Sequence, residues 1–269
     1  MQNVLENIRI VDLTQALAGP YCTMLLGDLG ADVIKIEPPG KGDQSRGWGP
    51  PFVAEESTYF LSVNRNKRSL TLNIKSSAGQ EILHKLVASA DVFVCNIPRK
   101  ASRQRAQVDV ETLQTINPRL VYCLISGYGC IGPYAERPGY DMIAQGESGI
   151  MSLTGEPEGG PLRYPISIAD MATGMYSTMG ILAALFNRER TGKGQMLDMT
   201  LLESQSAWLT NWASALMNGG QEPRRLGNAH PNIVPYNVFK AQDKYIIVAV
   251  GTEKIWSNFC DSLGFEHLK

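Results

Sequence analysis

Residues 8–37 read IRIVDLTQALAGPYCTMLLGDLGADVIKIE, and this stretch decides the fold. The apolar run at 8–13 is typical of a buried strand, the segment 21–29 carries apolar residues at helical spacing, and 31–37 is a second apolar strand. A strand, a helix and another strand in so short a stretch form a βαβ unit, in which the strands run parallel and the crossover is right-handed. The sequence therefore predicts an α/β fold.

The same alternation continues as far as residue 126. Apolar runs predict further strands at 69–74, 90–95 and 120–126, with helices at 78–89 and 110–116. In an open parallel sheet, ligands lie beyond the carboxyl ends of the strands. We therefore predict a Rossmann-like large domain, with its site in the loops that follow these strands.

The second half of the chain contains longer helices. Helices are predicted at 140–151, 171–188 and 201–217, a strand at 196–199, and then a strand at 245–250 and a helix at 254–263. The helix at 171–188 is apolar all round, which is typical of a buried helix. Because polar loop residues follow Gly220, we predict a large domain at 1–220, followed at 221–269 by a linker and the beginning of a small α+β domain.

Composition argues against several classes of protein. The chain has 43% hydrophobic residues and a formal net charge of −1, so it can form a core but lacks the basic excess that nucleic-acid binding needs. Its five cysteines show no metal-ligand spacing, which indicates reduced thiols and no metal site. The amino terminus lacks the pattern of a signal peptide, and no apolar stretch approaches the ~20 residues of a membrane span. We therefore expect a cytoplasmic protein, or a mitochondrial matrix protein in a eukaryote, with no nucleic-acid or membrane partner.

Familiar nucleophile motifs are missing: the sequence contains no GxSxG, Walker or HExxH pattern. Of its three histidines, only His230 lies in a loop (GNAHPNIVPY) where a site residue would be expected. Asp170, in PISIADMATGMYS, lies between a short β-like run and the apolar helix. It could cap that helix, or it could face a ligand that approaches past the small residues Ala169, Ala172 and Gly174, and the two roles are compatible.

Five segments of the chain resemble a known family. They are DLTQALAGPYCTMLLGDLGADVIKIEPPGKGD (12–43), ESTYFLSVNRNKRSLTLNIK (56–75), NPRLVYCLISGYG (117–129), RPGYDMIAQGESGIMSLTGEPEGGPLR (137–163) and ISIADMATGMYSTMGILAAL (166–185). Together they resemble class III CoA-transferases, the formyl-CoA transferase or CaiB-BaiF type, a family that also includes α-methylacyl-CoA racemase. GDQSRGWGPPF (42–52) and YFLSVNRNK (59–67) look closest to the branch that acts on succinyl-CoA and other dicarboxylic acyl-CoA donors.

The resemblance implies that Asp170 is the family's nucleophilic aspartate. Its carboxylate would attack an acyl-CoA thioester to give a mixed anhydride, the released CoA would form an aspartyl-CoA thioester, and an acceptor acid would reverse these steps. Such an anhydride hydrolyses if water reaches it, so the site must be closed and dry. The substrates implied are an acyl-CoA, with succinyl-CoA as the donor, and a small carboxylic acid, and no permanently bound cofactor is implied.

Two alternatives remain open at this stage. Racemases of the family pair the aspartate with a histidine in a Gly-His-Asp motif, whereas this chain has Tyr140 between Gly139 and Asp141. Because a neutral tyrosine is a far poorer base than histidine near pH 7, transfer is favoured over racemisation. The second alternative is a truncated CoA-binding remnant without catalytic activity.

The resemblance also implies where CoA binds. The residues implied are Gln15, Ala16, Leu17, Pro38, Lys41, Leu72, Asn96, Arg99, Arg103, Arg137, Tyr140 and Asp141. The loop after Asn96 (NIPRKASRQR) departs from the family, which has an aromatic residue and a Pro-Gly turn there. Its basic residues still offer partners for phosphate groups.

Assembly is implied as well. Members of the family continue through a small domain, return to the large one and form interlocked homodimers, whereas this chain ends at Lys269. We therefore expect that the C-terminal part of the family's fold is missing from it. The apolar helices at 171–186 and 201–217 need cover, which predicts a homodimer.

Overall fold

A six-stranded parallel sheet confirms the α/β fold that the sequence predicts. In the computed structural model, which describes residues 3–269, the strands are β1 (Arg9–Leu13), β2 (Asp32–Glu37), β3 (Phe52–Val53), β4 (Glu56–Ser57), β5 (Lys67–Thr71), β6 (Val92–Cys95), β7 (Val121–Ser126), β8 (Met196–Thr200), β9 (Tyr236–Lys240) and β10 (Tyr245–Ala249). The sheet has the order β5-β2-β1-β6-β7-β8. This is the order of doubly wound folds, whose two halves diverge between β1 and β6. The loops after β1 and β6 therefore border a crevice.

Helices connect these strands. In chain order they are α1 (Ala18–Asp28), α2 (Thr58–Ser62), α3 (Ser77–Ala88), α4 (Lys100–Arg105), α5 (Val110–Ile116), α6 (Asp141–Glu147), α7 (Ile150–Leu153), α8 (Ile168–Thr191), α9 (Leu201–Ser206), α10 (Thr210–Gly219) and α11 (Glu253–Leu263). The helix predicted at 140–151 is divided in two at Gly149, whose φ of 89° is easily adopted only by glycine. A 3-10 turn at Ala207–Leu209 likewise separates α9 from α10. The sequence pattern does not predict α4.

Helices cover both faces of the parallel sheet. α1 and α8 pack on one face, where Leu26 and Ile181 are fully buried. α3 and α5 pack on the other, where Leu83 and Leu113 are fully buried. Burial of an apolar side chain of this size stabilises a fold by about 1.5–3 kcal/mol. With both faces of the sheet covered, ligands are expected at the carboxyl ends of the strands.

α8 is the longest helix of the described chain, with 24 residues, and it carries Asp170 in its first turn. By length and composition it could span a membrane, which differs from the expectation that no segment qualifies. Half of its most apolar stretch is buried inside the protein, however, and the core helix of a soluble protein passes the same test. Gly174 allows α8 to approach α1 closely, since a Cβ at this position would lie 2.8 Å from the carbonyl oxygen of Ala18.

The described chain forms two compact units. The first consists of residues 3–148 and 165–208 and contains the parallel sheet. The second consists of 149–164 and 209–269, and within it β9 and β10 pair in antiparallel fashion. The domain boundary at residue 220 stays a prediction.

Candidate active site

A cavity of about 640 Å³ lies in the first unit, at the carboxyl ends of the parallel strands. A cavity of this size is typical of a small-molecule site. All six strands contribute to its walls. The lining residues lie at or after the ends of β1 (13 and 15–18), β2 (36, 38 and 39), β5 (72–75), β6 (96–98), β7 (125–127) and β8 (201), and residues 44, 48, 59, 138–141 and 170 complete the wall.

The cavity brings together most of the residues that the sequence predicts for the site. Those that line it are Asp170, Gln15, Ala16, Leu17, Pro38, Leu72, Asn96, Tyr140 and Asp141. Those that do not line it are Lys41, Arg99, Arg103 and Arg137. The contribution of each to binding or catalysis stays a prediction.

Arg103 is buried and holds the loop that follows Asn96. Its side chain lies on α4, and its Nη1 donates to the carbonyl oxygens of Ile97 and Pro98 at 2.7 and 2.6 Å. Only 6% of the residue is exposed. The guanidinium group therefore shapes this loop from within, and its role in CoA binding stays a prediction.

Lys41, Arg99 and Arg137 are exposed at the margin of the cavity. Each lies within two positions of a residue that lines it. The guanidinium group of Arg137 stacks over the ring of Tyr134, 4.1 Å from its centroid, which is a cation–π contact. These three cations are placed where phosphate groups could remain partly solvated.

Trp48, Tyr59 and Lys75 are among the lining residues that the sequence does not predict. The rings of Trp48 and Tyr59 meet edge to face, with their centroids 4.9 Å apart. Lys75 is the one lysine or arginine among the described residues that line the cavity. All three lie in segments that carry the family resemblance, but no periodicity or spacing distinguishes them there.

Asp170 occupies the first turn of α8. The structure places Ser167 at the N-cap position, so the interpretation of Asp170 as the helix cap is wrong. Ala169 and Ala172 beside it are fully buried. The carboxyl group is therefore held at the start of a rigid helix, with its own side chain at the cavity wall.

A second carboxyl group lies near Asp170. Asp141, the first residue of α6, accepts the backbone N–H of Ala169 at 2.9 Å and the side-chain amide of Gln145 at 2.7 Å. Burial and then the negative charge of Asp141 raise the pKa of Asp170 from an ordinary 3.8 to about 7. A carboxyl with a strongly raised pKa in a cavity is a recurrent property of catalytic groups.

Tyr59 lines the cavity beside Trp48 and lies near the carboxyl groups of Asp141 and Asp170. Its side chain hydrogen-bonds with that of Ser167, the residue that precedes α8. Burial raises the pKa of Tyr59, and the charges of Asp170 and Asp141 raise it further, although the bond to Ser167 acts in the opposite direction. The tyrosine hydroxyl therefore remains a neutral donor close to both carboxyl groups.

His230, which sequence reasoning singles out as a loop residue, shapes a turn in the second unit. Its Nδ1 accepts the backbone N–H groups of Asn232 and Ile233, each at 3.1 Å.

Among residues 3–269, no group of three or more His, Cys, Asp or Glu side chains is arranged to hold a metal ion. The chemistry that the cavity offers is that of Asp170, whose carboxyl group is partly ionised near pH 7 and can act as a nucleophile or a base.

The fold and the cavity define an α/β protein whose ligand site lies at the carboxyl edge of a doubly wound sheet. The model of CoA-transferase family III matches residues 5–269. The chain therefore belongs to this family, which confirms the resemblance seen in its sequence.

Relatives of known name lie in the dicarboxylate branch. The succinyl-CoA:glutarate CoA-transferase of Mus musculus is 48% identical over 265 residues, which cover 98% of this chain and 60% of the relative. The succinate–glutarate CoA-transferase of Agrobacterium fabrum is 44% identical, over 97% of this chain and 66% of the relative. This chain thus spans about 60–66% of the length of these curated relatives. A crystal structure of a CAIB/BAIF family protein from Brucella suis, 44% identical, superposes with a TM-score of 0.89 over 98% of this chain and 70% of that chain.

Proposed function

We propose that this chain transfers CoA from an acyl-CoA, with succinyl-CoA as the donor, to a dicarboxylic acid such as glutarate. The observation that carries the proposal is Asp170, a carboxyl group with a pKa of about 7 at the wall of the cavity. The names of the relatives support the choice of substrates, since those of Mus musculus and Agrobacterium fabrum are named for succinate and glutarate.

Asp170 acts as the covalent nucleophile in this proposal. Its carboxylate attacks the thioester carbonyl, a C–O bond forms, the C–S bond breaks and CoA leaves as a thiolate. The thiolate then attacks the aspartyl carbonyl of the mixed anhydride, which releases the donor acid and leaves an aspartyl-CoA thioester. The acceptor carboxylate attacks that thioester, CoA leaves again and attacks the new anhydride at the acceptor carbonyl, and Asp170 is regenerated as a carboxylate.

The surroundings of Asp170 suit these steps. A carboxylate shielded from water is a better nucleophile than a hydrated one, and a mixed anhydride survives only where water is excluded. The aromatic rings of Trp48 and Tyr59 supply an apolar wall, and Tyr59 is a neutral donor near the reacting group. Tyr140 takes the position of the racemase histidine, so the proposal does not include proton abstraction from the acyl chain.

CoA lies across the carboxyl ends of the strands in this proposal. The loop at 15–17, Pro38, Leu72 and Asn96 form the walls along it. Lys75 inside the cavity, and Lys41, Arg99 and Arg137 at its margin, are the cations available to its phosphate groups.

We further propose that the chain acts as a homodimer. Met175, Met179 and Phe186 lie at 4- and 7-residue intervals and so share one face of α8, with 45, 53 and 69% of their surface exposed. Large apolar side chains exposed together on one helix are typical of an interface.

Trapping the covalent intermediate tests the proposed reaction. The chain is incubated with succinyl-CoA, quenched with hydroxylamine, and the peptide that contains Asp170 is analysed by mass spectrometry. We expect an aspartyl hydroxamate at Asp170, because hydroxylamine cleaves both the anhydride and the thioester. Asp170→Asn is the matched control, and it should bind CoA without forming the hydroxamate or transferring CoA.

Two results would contradict the proposal. A parent protein that binds succinyl-CoA but gives no hydroxamate would move the covalent step away from Asp170. Transfer by Asp170→Asn within tenfold of the parent, a barrier change of only about 1.4 kcal/mol, would do the same.

A further inference from the structure

Four charged side chains other than Asp141 and Asp170 are buried beneath the loop at 14–17. Asp12 pairs with Lys67 at 3.1 Å, and Lys35 pairs with Asp43 at 2.8 Å. The exposed fraction of each of the four side chains is 2% or less. Burying such ion pairs costs desolvation free energy, so their presence is weak evidence that they stabilise the fold. A role that can be tested is that they fix one specific backbone conformation.

Two residues of β2 contact Asp43, one through its carboxylate and one through its backbone N–H. Lys35 contacts its carboxylate, and Glu37 accepts its backbone N–H at 2.8 Å. Lys35 and Glu37 are two positions apart and therefore lie on the same face of the strand. The turn at 38–42 returns the chain so that Asp43 lies over that face.

The carboxylate of Asp43 in turn holds the loop after β1. Its Oδ1 accepts the backbone N–H of Ala16 at 3.1 Å, as well as the N–H and hydroxyl of Ser45 at 2.9 and 2.7 Å. Ala16 has a φ of 70°, a left-handed conformation that disfavours any residue with a Cβ. The bond to Asp43 therefore stabilises a backbone conformation that Ala16 would not adopt readily by itself.

The two residues before Ala16 are held by the same surroundings. Lys35 donates to the carbonyl oxygen of Thr14 at 2.8 Å, and Asp12 accepts the N–H of Thr14 at 3.0 Å. Asn96 accepts the N–H of Gln15 at 3.2 Å and donates to its carbonyl oxygen at 2.9 Å. These backbone groups thus bond to the protein, and Gln15, Ala16 and Leu17 form part of the cavity wall.

We propose that Asp43 is a positioning residue for CoA binding: supported by Lys35 and Glu37, it holds Ala16 in the left-handed conformation and so sets the shape of the cavity wall at 15–17. The inference rests on the proposed function, in which CoA lies along this wall. Loss of the Asp43 carboxylate lets Ala16 relax to a negative φ, which redirects the following peptide and displaces Leu17. Asp43 itself does not touch the ligand.

Calorimetric titration with CoA tests this role. The pair variant Lys35→Met with Asp43→Ala removes both charges together, so neither is left buried without its partner. We expect it to bind CoA at least tenfold more weakly than the parent. Adding Ala16→Gly to this variant should restore most of the affinity, because glycine adopts a φ of 70° without the bond to Asp43.

Asp91→Asn is the matched control. Asp91 forms a partly buried ion pair with Arg188 at 2.9 Å, but it precedes β6 and so lies at the amino ends of the strands, away from the cavity. This substitution should lower the thermal midpoint and leave CoA affinity unchanged.

Several outcomes would overturn the inference. CoA affinity of the pair variant within twofold of the parent would do so, and so would a weakened affinity that glycine at position 16 does not restore. Should the pair variant fail to fold, amide hydrogen exchange of the parent decides, since an unprotected Ala16 N–H would contradict its bond to Asp43. A parent that does not bind CoA would instead overturn the proposed function, and the inference would fall with it.

Discussion

Asp141 and Asp170 are neighbouring carboxyl groups in different surroundings. Asp141 accepts hydrogen bonds from Ala169 and Gln145, and Asp170 lies near it in the first turn of α8. Burial disfavours a negative charge on Asp170, and the charge of Asp141 disfavours it further, so the pKa of Asp170 rises to about 7.

Asp170→Asn is expected to stabilise the chain at pH 8 and to leave its stability unchanged near pH 4. Because the pKa of Asp170 is about 7 in the fold and 3.8 ordinarily, the folded state binds more protons between these values, and stability falls as the pH rises. The contribution of the protonated carboxyl is full below about pH 4 and is lost above about pH 7. Thermal unfolding of both proteins across this range measures the difference, which amounts to roughly 4 kcal/mol at pH 8.

The exposed Asp243 provides the control for this prediction. Asp243→Asn should change stability by less than about 0.5 kcal/mol at either pH, as surface substitutions usually do. Equal stabilisation by Asp170→Asn at both pH values would show that the carboxyl ionises in the fold as it does in the unfolded chain.

Some of these residues can be identified from the sequence, and others cannot because their contacts form only in the folded chain. Asp170 lies in a long family-like segment, so its position is identifiable without coordinates. The burial of Arg103 is not identifiable without coordinates. The carbonyl oxygens that accept its hydrogen bonds belong to an irregular loop, and no sequence pattern predicts the backbone direction there. Tyr59 is missed because its partner Ser167 is brought to it only by the folding of the whole first unit.

The contact between α1 and α8 fixes the position of the first turn of α8 relative to the loop after β1. Gly174 lies one turn after Asp170, and its missing side chain leaves room for the carbonyl oxygen of Ala18. Ala18 also lines the cavity. The spacing of these two helices therefore sets the spacing of the proposed nucleophile from the opposite wall.

Gly174→Ala is expected to destabilise the chain by about 1–3 kcal/mol and to lower transfer activity. A Cβ at 174 would lie 2.8 Å from the carbonyl oxygen of Ala18 and 2.9 Å from the ring of Tyr21, so the helices must move apart. The higher helix propensity of alanine, about 1 kcal/mol, offsets only part of this cost. The midpoint of urea unfolding measures the effect.

Gly180→Ala is the matched control on the same helix. A Cβ there would meet only the side chain of Leu197, at 3.4 and 3.9 Å, which is ordinary van der Waals contact. We expect this variant to be neutral or up to about 1 kcal/mol more stable. Equal effects of the two substitutions would contradict a close contact at Gly174.

β6 and β7 are predictable because they are continuous apolar runs buried on both faces. The sequence pattern does not predict β3, β4 and β9, and it predicts β5 only from residue 69, whereas β5 begins at Lys67. Its charged beginning conceals it, although the fold pairs Lys67 with Asp12 and Arg68 with Asp32. A partner far along the chain therefore extends the strand into charged residues that no local pattern marks as a strand.

The chain is expected to sediment as a dimer at micromolar concentration. The apolar face of α8 that contains Met175, Met179 and Phe186 is exposed in the single chain, and association would remove it from water. Analytical ultracentrifugation of the parent measures its state. The double variant Met179→Lys with Phe186→Lys should be monomeric, with an unchanged circular dichroism spectrum.

Val4→Lys is the control for this double variant, since Val4 is 66% exposed and does not belong to that face. It should leave the parent's sedimentation unchanged. A parent that is a cooperatively folding monomer would contradict the proposed homodimer.

The sheet order has a consequence for synthesis on the ribosome. β8 pairs with β7, yet 69 residues separate Ser126 at the end of β7 from Met196 at the start of β8. At ordinary translation rates this interval lasts roughly 3–14 s, during which one edge of β7 has no neighbouring strand. An unpaired edge of this kind invites pairing with another nascent chain, so the segment between the two strands sets a period in which chaperones would protect the growing polypeptide.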